Sequence, residues 1–467
     1  MTTQTYSTSP KTTTSGVSVP EVRNILGGKV IAPNDTLYDE ARTVYYGGID
    51  RRPAFIVKAK SAADVSRVIM LARESGLELA VRSGGHSLVG HSTTDGGIVL
   101  DLSEMKKLEI DVDGRTAWAQ TGLTAGEYTT AVAVHGLATG FGDTGSVGIG
   151  GITLGGGIGY LVRKHGLSID SLVAAEIVTA DARLLCVDAD THPDLFWAIR
   201  GGGGNFGVAT RFKFRLHEVD NILGGMLVLP ATPDTIAAFI AEADAAPAEL
   251  SSIVNVLVAP PLPFLPADAH GQPIIMATMV YAGNVEAGER AVAPFRAIAD
   301  PFADMLRPMH YPDIFPAEQA GHPIQSTRTM FLDALDRSLA QTMLEHLQAS
   351  TADLAAAEIR VLGGAMARVS PEATAFAHRR APIMVNLAAR CARVDEATAH
   401  EAWVSQFAAA LRPGGGGGGA YVGFLGGDGH ARIREAYPGA TWERLAAIKQ
   451  RYDPTNMFHL NHNITPG

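Results

Sequence analysis

Cysteine is almost missing from this chain. Only Cys186 and Cys391 occur among 467 residues. Two cysteines give no disulfide framework and no zinc spacing, so both read as free thiols in a reducing or neutral setting. Basic blocks are absent too, and the formal net charge is -10, which sets nucleic acid aside as a partner. No apolar run reaches the ~18 residues that a membrane-spanning helix needs, which sets the membrane aside. Residues 1–20 are rich in Thr and Ser but hold neither a basic nor an apolar signal segment. A flexible tail over residues 1–30 is expected, in a soluble, cytoplasmic protein. No motif speaks to an oligomeric state.

What is present is apolar residue and glycine. Apolar types make up 46% of the chain, enough for sizeable cores, and the length predicts two or three domains. The 51 glycines exceed the usual ~7%. They cluster at 84–97, 140–159, 201–207 and 414–429, where backbone passes close to something.

The pattern along the chain is mixed. Ser61 to Asp64 starts a helix whose apolar face is Val65, Val68, Ile69 and Ala72, and Gly76 ends it. Strands are predicted at 77–81, 97–102, 117–120, 173–179 and 184–187, and helices at 124–135 and 194–199. Residues 208–216 alternate, with Arg211, Lys213 and Arg215 on one side, as a half-buried strand does. Glycine thins out from 223 to about 412. There helices are predicted at 233–246 and 336–350, and strands at 253–258, 274–281, 358–362 and 383–388. The fold class read from this is α+β, with segments 31–222, 223–413 and 414–467. A flexible junction is expected at 414–419, and the last segment should pack back on the first. A site then falls at the interface.

Four motifs carry chemistry. Arg82-Ser83-Gly84-Gly85-His86-Ser87 follows a strand, and its paired glycines expose backbone N–H groups that suit a diphosphate. Arg82 adds charge there or covers the sheet. A plain glycine turn with a surface histidine stays open as the alternative. The run from Gly140 to Tyr160 sets bulky residues regularly among glycines, so backbone can approach a large planar ligand; a glycine-rich Ω-loop is the bland alternative. Gly202, Gly204 and Gly207 spell GxGxxG, but a helix precedes and a strand follows. A nucleotide-binding Rossmann turn requires the reverse, so that reading is rejected. In the tail, His459 and His462 are three apart, yet Pro454 opposes a helix and no acidic or Cys partner is close. Packing is the better reading, and no metal is expected.

Together these pieces resemble the FAD-linked oxidases of the vanillyl-alcohol oxidase and p-cresol methylhydroxylase superfamily, in the berberine-bridge-enzyme-like branch. The resemblance covers about 51–219 and 420 to the C-terminus, on SGGHS, VGxGGxxLGGGxG, RGGGGNFGV and YDPxNxFxxNxNI in that order. The segments Ala259-Pro-Pro-Leu-Pro and Leu362-Gly-Gly-Ala also resemble bacterial members, the enterocin-biosynthesis flavoprotein more than the hydroxynicotine oxidases. The resemblance implies a two-part FAD-binding domain of PCMH type (31–222 and 414–467) and an inserted substrate domain (223–413) of antiparallel sheet covered by helices. It implies FAD bonded at its 8α-methyl to His86. A second, cysteinyl bond is not expected, because Thr144 stands where it would need cysteine. FAD contacts are implied at Arg82, Ser83, Gly84, Gly85, Ser87, Thr144, Ser146, Val147, Gly148, Gly150, Gly151, Leu154, Gly155, Gly157, Gly159, Tyr160, Gly207, Val208, Asn461 and Asn463.

Two residues are candidates for proton transfer. Glu358 shares a strand face with Arg360, as a catalytic base or as half of a surface ion pair. Tyr421 stands in a family Y-x-N-Y/F pattern that departs at Gly423 and Phe424, as a catalytic phenol or a core tyrosine. The expected activity is removal of hydride from a C–OH or C–N centre of a small molecule, with electrons passed to dioxygen. Kept beside it are a dehydrogenase, an oxidative cyclase or an oxygen-transferring flavoprotein of the same fold, and a flavin binder without turnover.

Overall fold

The computed structural model describes residues 19–26, 29–219, 221–316, 321–415, 417–427 and 429–467. The expected tail over 1–30 lies largely outside them. Where 1–30 is described it is ordered structure instead: Val19–Ile25 is helical with Val22 buried, and Lys29–Ile31 is a strand.

Two main sheets make up the first part, beside a two-stranded pairing of Leu137–Ala138 with His217–Glu218. In the smaller, Lys29–Ile31, Phe55–Lys58, Ile98–Asp101 and Leu79–Arg82 lie side by side, the last three parallel. The helix Ala62–Ser75 joins two of these parallel strands, as a parallel connection requires. Ser61 caps it through its hydroxyl and Gly76 ends it in the left-handed region at φ 67°, where glycine carries no Cβ penalty. The second sheet is antiparallel, in the order Leu108–Asp111, Thr116–Gln120, Val208–Arg215, Leu172–Val178, Leu184–Asp188. Phe212 and Phe214 of its alternating strand are fully buried, and Arg211, Lys213 and Arg215 are not.

The third sheet has eight strands among the described residues, and its neighbours pair antiparallel. Its centre runs Pro273–Tyr281, Leu250–Val258, Leu354–Val361, Ile383–Cys391, Ile324–Leu332. One face is apolar. Val254, Ala357, Ile359, Val385 and Leu387 form a core there with Phe239, Leu339, Met343 and Phe407 of the covering helices. The alternation of strands sends Glu358, Arg360, Asn386 and Arg390 to the other face.

The chain then returns to its beginning. Ala420, Val422, Leu425, Tyr437, Leu445 and Ile464 share one core with Phe141, Ile177 and Phe212. The junction expected at 414–419 is corrected in part. The helix Ala397–Gly415 takes up its first two glycines, and Gly416 lies outside the described residues.

Candidate active site

The SGGHS loop leaves the edge of the small sheet and meets the second glycine run backbone to backbone. A Cβ on Gly84 would lie 2.2 Å from the Gly148 nitrogen, and one on Gly148 would lie 2.1 Å from Ser83 Oγ. Neither position accepts a side chain, so the two glycine runs are one assembly. Ser83 Oγ fastens it by donating to the Thr121 carbonyl at 2.6 Å.

Beside this contact lies a cleft of about 390 Å³. It is walled by the two glycine runs, the large sheet and the C-terminal tail. Ser83, Gly84, Gly85, His86, Ser87, Thr144, Val147, Gly148, Gly151, Gly155, Glu358, Tyr421 and Asn461 line it. A Cβ on Gly151 or on Gly204 would meet nothing within 4 Å, so these two glycines open a flat wall. Ser92 Oγ, Asn386 Oδ1 and Asn461 Oδ1 are buried in the lining without a hydrogen-bond partner among the described residues. Orphaned buried polar atoms of this kind call for a polar ligand.

Other expected residues sit elsewhere. Ser83 to His86 also line a second cavity of about 560 Å³, together with Arg82 and Ser146. Gly150, Gly151, Leu154, Gly207, Val208 and Asn461 line a third of about 160 Å³. Arg82 does not reach the main cleft. Its guanidinium donates to Asp101 at 2.9 Å and to the Ala41 carbonyl at 2.7 Å, beneath the loop. Gly157, Gly159, Tyr160 and Asn463 line none of the three cavities. Gly159 is pressed on the Phe141 carbonyl, and Tyr160 belongs to a buried apolar cluster with Tyr311 and Ile314.

His86 is half-buried, with its ring stacked on Tyr45 at 3.9 Å between centroids. Burial lowers it to about 4, against a backbone hydrogen bond at Ser146. The ring is therefore neutral at pH 7, with one nitrogen engaged and the other carrying a lone pair.

Glu358 is not half of a surface pair. Its carboxylate accepts from Arg360 Nε at 2.8 Å, and the Arg360 side chain is only 2% exposed. Arg360 also donates to Asp143 at 2.5 Å and to the Ile158 carbonyl at 2.6 Å. Burial holds the Glu358 carboxyl above its ordinary value; Arg360 opposes the shift and Asp143 adds to it. Asn386 stands directly across from Glu358 in the sheet register, so its orphaned oxygen faces the carboxyl's side. Tyr421 is buried, and its hydroxyl accepts from the Gly157 N–H at 3.1 Å. Burial raises this phenol.

Sequence reasoning missed Tyr45, Tyr46, His91, Asp143, Gln325, Asn386 and Arg390, which all line the cleft. One signal was available for two of them. Asn386 and Arg390 are four apart on a mostly apolar strand, hence on one face. The tail histidines part company: His459 binds Glu78 at 2.9 Å, whereas His462 packs edge-on against His91 in the cleft wall. Among the described residues one group could hold a metal, Cys391, Glu396 and His400, and it lies away from this cleft.

Known proteins resemble this chain in two segments and over nearly its whole length. Residues 53–188 match the FAD binding domain family, and residues 420–465 match the family described as berberine and berberine like. The (R)-6-hydroxynicotine oxidase of Paenarthrobacter nicotinovorans is 29% identical over 452 residues, covering 94% of this chain and 97% of that one. YvdP of Bacillus subtilis (strain 168), described as an uncharacterized FAD-linked oxidoreductase, is 30% identical over 460 residues, covering 94% and 98%. The crystal structure of 6-hydroxy-D-nicotine oxidase from Arthrobacter nicotinovorans superimposes with a TM-score of 0.84 at 26% identity, covering 95% of this chain and 98% of that one. No helix among the described residues is long and apolar enough to cross a membrane.

Proposed function

The chain belongs to the FAD-linked oxidoreductases of the berberine-like family, and from that premise we propose an oxidase that carries FAD on His86 through a single 8α-histidyl bond. It takes hydride from a C–OH or C–N centre of a small organic molecule. The electrons go to dioxygen, so that alcohol and O2 become carbonyl and H2O2, or amine and O2 become imine and H2O2. The cofactor domain in this reading is 31–222 with 414–467, and 223–413 is the substrate domain. The finer likeness to the enterocin flavoprotein, resting on the segments at 259–263 and 362–365, belongs to the same proposal.

The residues present fit such a group. Gly151 and Gly204 leave a flat wall free of side chains, and the orphaned Asn461 and Ser92 oxygens offer polar contacts. The observation that carries the covalent claim is His86: a neutral, half-buried imidazole held by Tyr45 at the cleft wall. Thr144 lines the cleft and its hydroxyl bonds Asp143, while neither cysteine lines it. That supports one link rather than two.

When bound, the flavin accepts hydride and returns the electrons to an acceptor. The protein supplies the rest. Glu358, raised by burial, takes the proton of the substrate hydroxyl or ammonium as the C–H bond breaks. Arg360, fixed by Asp143 and the Ile158 carbonyl, holds that carboxyl in place. Tyr421 is the second polar group at the same wall and orients the substrate.

Acid denaturation tests the tether. Yellow colour should stay with the wild-type polypeptide and leave with the supernatant for His86→Ala. Full release from wild type, or retention by the variant, overturns the covalent claim. Gly423 and Phe424, the departures from the family pattern, motivate a flavin binder without turnover; the second reading is a dehydrogenase, cyclase or oxygen-transferring enzyme of the same fold. Reoxidation of photoreduced enzyme in air no faster than free flavin would select it.

A further inference from the structure

The cleft face of the large sheet holds two arginines in opposite situations. Arg360 has every nitrogen engaged, by Glu358, Ile158 and Asp143. Arg390 lines the same cleft and has one bond, from Nε to Gln325 Oε1 at 2.9 Å. Its two terminal nitrogens have no partner among the described residues, and no carboxylate pairs with it. Gln325 is its cross-strand partner in register. With that amide oxygen taken by Arg390, the amide nitrogen remains as a further donor on the cleft side.

Both carboxylates of this wall are engaged by Arg360. The Asp143 carboxylate answers Arg360 at 2.5 Å. The Glu358 carboxylate answers the same guanidinium at 2.8 Å. His86, His91 and His462 are lowered to about 4, about 3 and about 4, chiefly by burial, and stay neutral at pH 7. Arg390 is left with no carboxylate in ion-pair contact among the described residues, half-buried in a concave wall. A partly desolvated cation is unfavourable unless something anionic meets it. A guanidinium fork with two free terminal donors matches a carboxylate in two-point geometry. It repels a cationic amine and gains little from a neutral amide.

We propose that Arg390, oriented by Gln325, is a specificity-determining residue, and that the substrate carries an anionic group, best a carboxylate, bound at the Arg390 end of the cleft while the carbon to be oxidised lies at the Glu358 end. The proposal rests on the oxidoreductase reading above and adds the substrate class to it.

The test uses holoenzyme and four probes of similar size: benzoate, benzenesulfonate, benzamide and benzylamine. Binding is read from the perturbed flavin absorbance, and the visible spectrum before titration reports whether flavin is present. A colourless protein fails the oxidoreductase reading itself. In yellow enzyme, benzoate should bind at least about tenfold tighter than benzamide or benzylamine, the size expected for a charge-assisted pair. Arg390→Gln should erase that preference with its flavin content intact. Arg390→Lys should keep part of it, because the charge stays and the fork is lost. Benzenesulfonate binding as well as benzoate would keep the anion and widen the class beyond carboxylates. Equal affinities in wild type, no response to either anion, or a benzoate preference that survives in Arg390→Gln would overturn the proposal.

Discussion

The Glu358 carboxylate and the Arg360 guanidinium meet at 2.8 Å within the cleft wall, and the far side of that guanidinium holds Asp143 at 2.5 Å. One arginine thus serves two carboxylates in different settings. Burial raises Glu358, and Asp143 adds to the rise.

A general base works ionised, so kcat/KM should fall as pH drops through the raised Glu358 value. Glu358→Gln should lose that acidic limb and about 10²–10⁴-fold in rate. Stability should move the other way. A carboxyl whose folded value is raised contributes stability below its unfolded value and loses it as pH rises through the folded one. Glu358→Gln should therefore unfold at pH 7 no more easily than wild type in a denaturant titration. A large loss of stability with an unchanged pH profile would make the residue structural.

Tyr421 and Gly423 form a second testable pair. A Cβ on Gly423 would lie 2.7 Å from the Tyr421 ring and 2.9 Å from its hydroxyl. Gly423→Ala must push the phenol off Gly157, and turnover should drop while flavin content holds. Tyr421→Phe keeps the ring and leaves the buried Gly157 N–H unpaired, a loss of about 1–3 kcal/mol in unfolding free energy. If both variants turn over like wild type, the phenol has no part in orienting substrate.

Local features were legible because their causes are local. Ser61 and Gly76 bracket a helix by capping chemistry, and the helix–GxGxxG–strand order exposed Gly202 to Gly207 as no Rossmann turn. His86, Thr144 and Gly148 stood out as parts of glycine runs. Partners distant in sequence did not. Asp143 and Arg360 are 217 residues apart, and Tyr45 reaches His86 from a segment with no periodicity. The reach of Arg82 to Asp101 likewise depends on two strands lying parallel in register, which a side-chain list cannot express.

Buried histidines should make the fold acid-sensitive. His165 stacks on His217 at 4.0 Å and His91 packs on His462 at 5.0 Å. Burial lowers them to about 3, about 4, about 3 and about 4 respectively. Each takes up a proton on unfolding near the ordinary value of ~6.5. The unfolded chain binds more protons, so stability is complete above that value and is lost as pH falls toward 4. The slope is up to about 1.4 kcal/mol per pH unit for each histidine. His165 Nε2 is buried with no hydrogen-bond partner among the described residues, so His165→Phe should shallow the acid limb of Tm against pH without lowering Tm at pH 7.5. An unchanged limb would remove this pair from the account.

The tail motif owes its shape to one buried ion pair. Lys449 and Asp453 are both fully buried and meet at 2.7 Å. Lys449 also donates to the Asn205 and Phe458 carbonyls, and Asp453 accepts from the Met457 and Phe458 N–H groups. The pair therefore ties the third glycine run to the strap that carries Leu460, Asn461 and His462 into the cleft. Asp453→Ala leaves a buried ammonium alone and should remove about 3–5 kcal/mol of unfolding free energy. Lys449→Met combined with Asp453→Ala removes both charges and should recover part of that loss, although two N–H groups stay unpaired. If the double variant is as unstable as the sum of the singles, the pair acts as two independent anchors. If the tether on His86 is real, the loosened strap of Asp453→Ala should weaken retention of flavin in His86→Ala far more than in the His86 enzyme. A covalent bond holds the cofactor whatever the strap does.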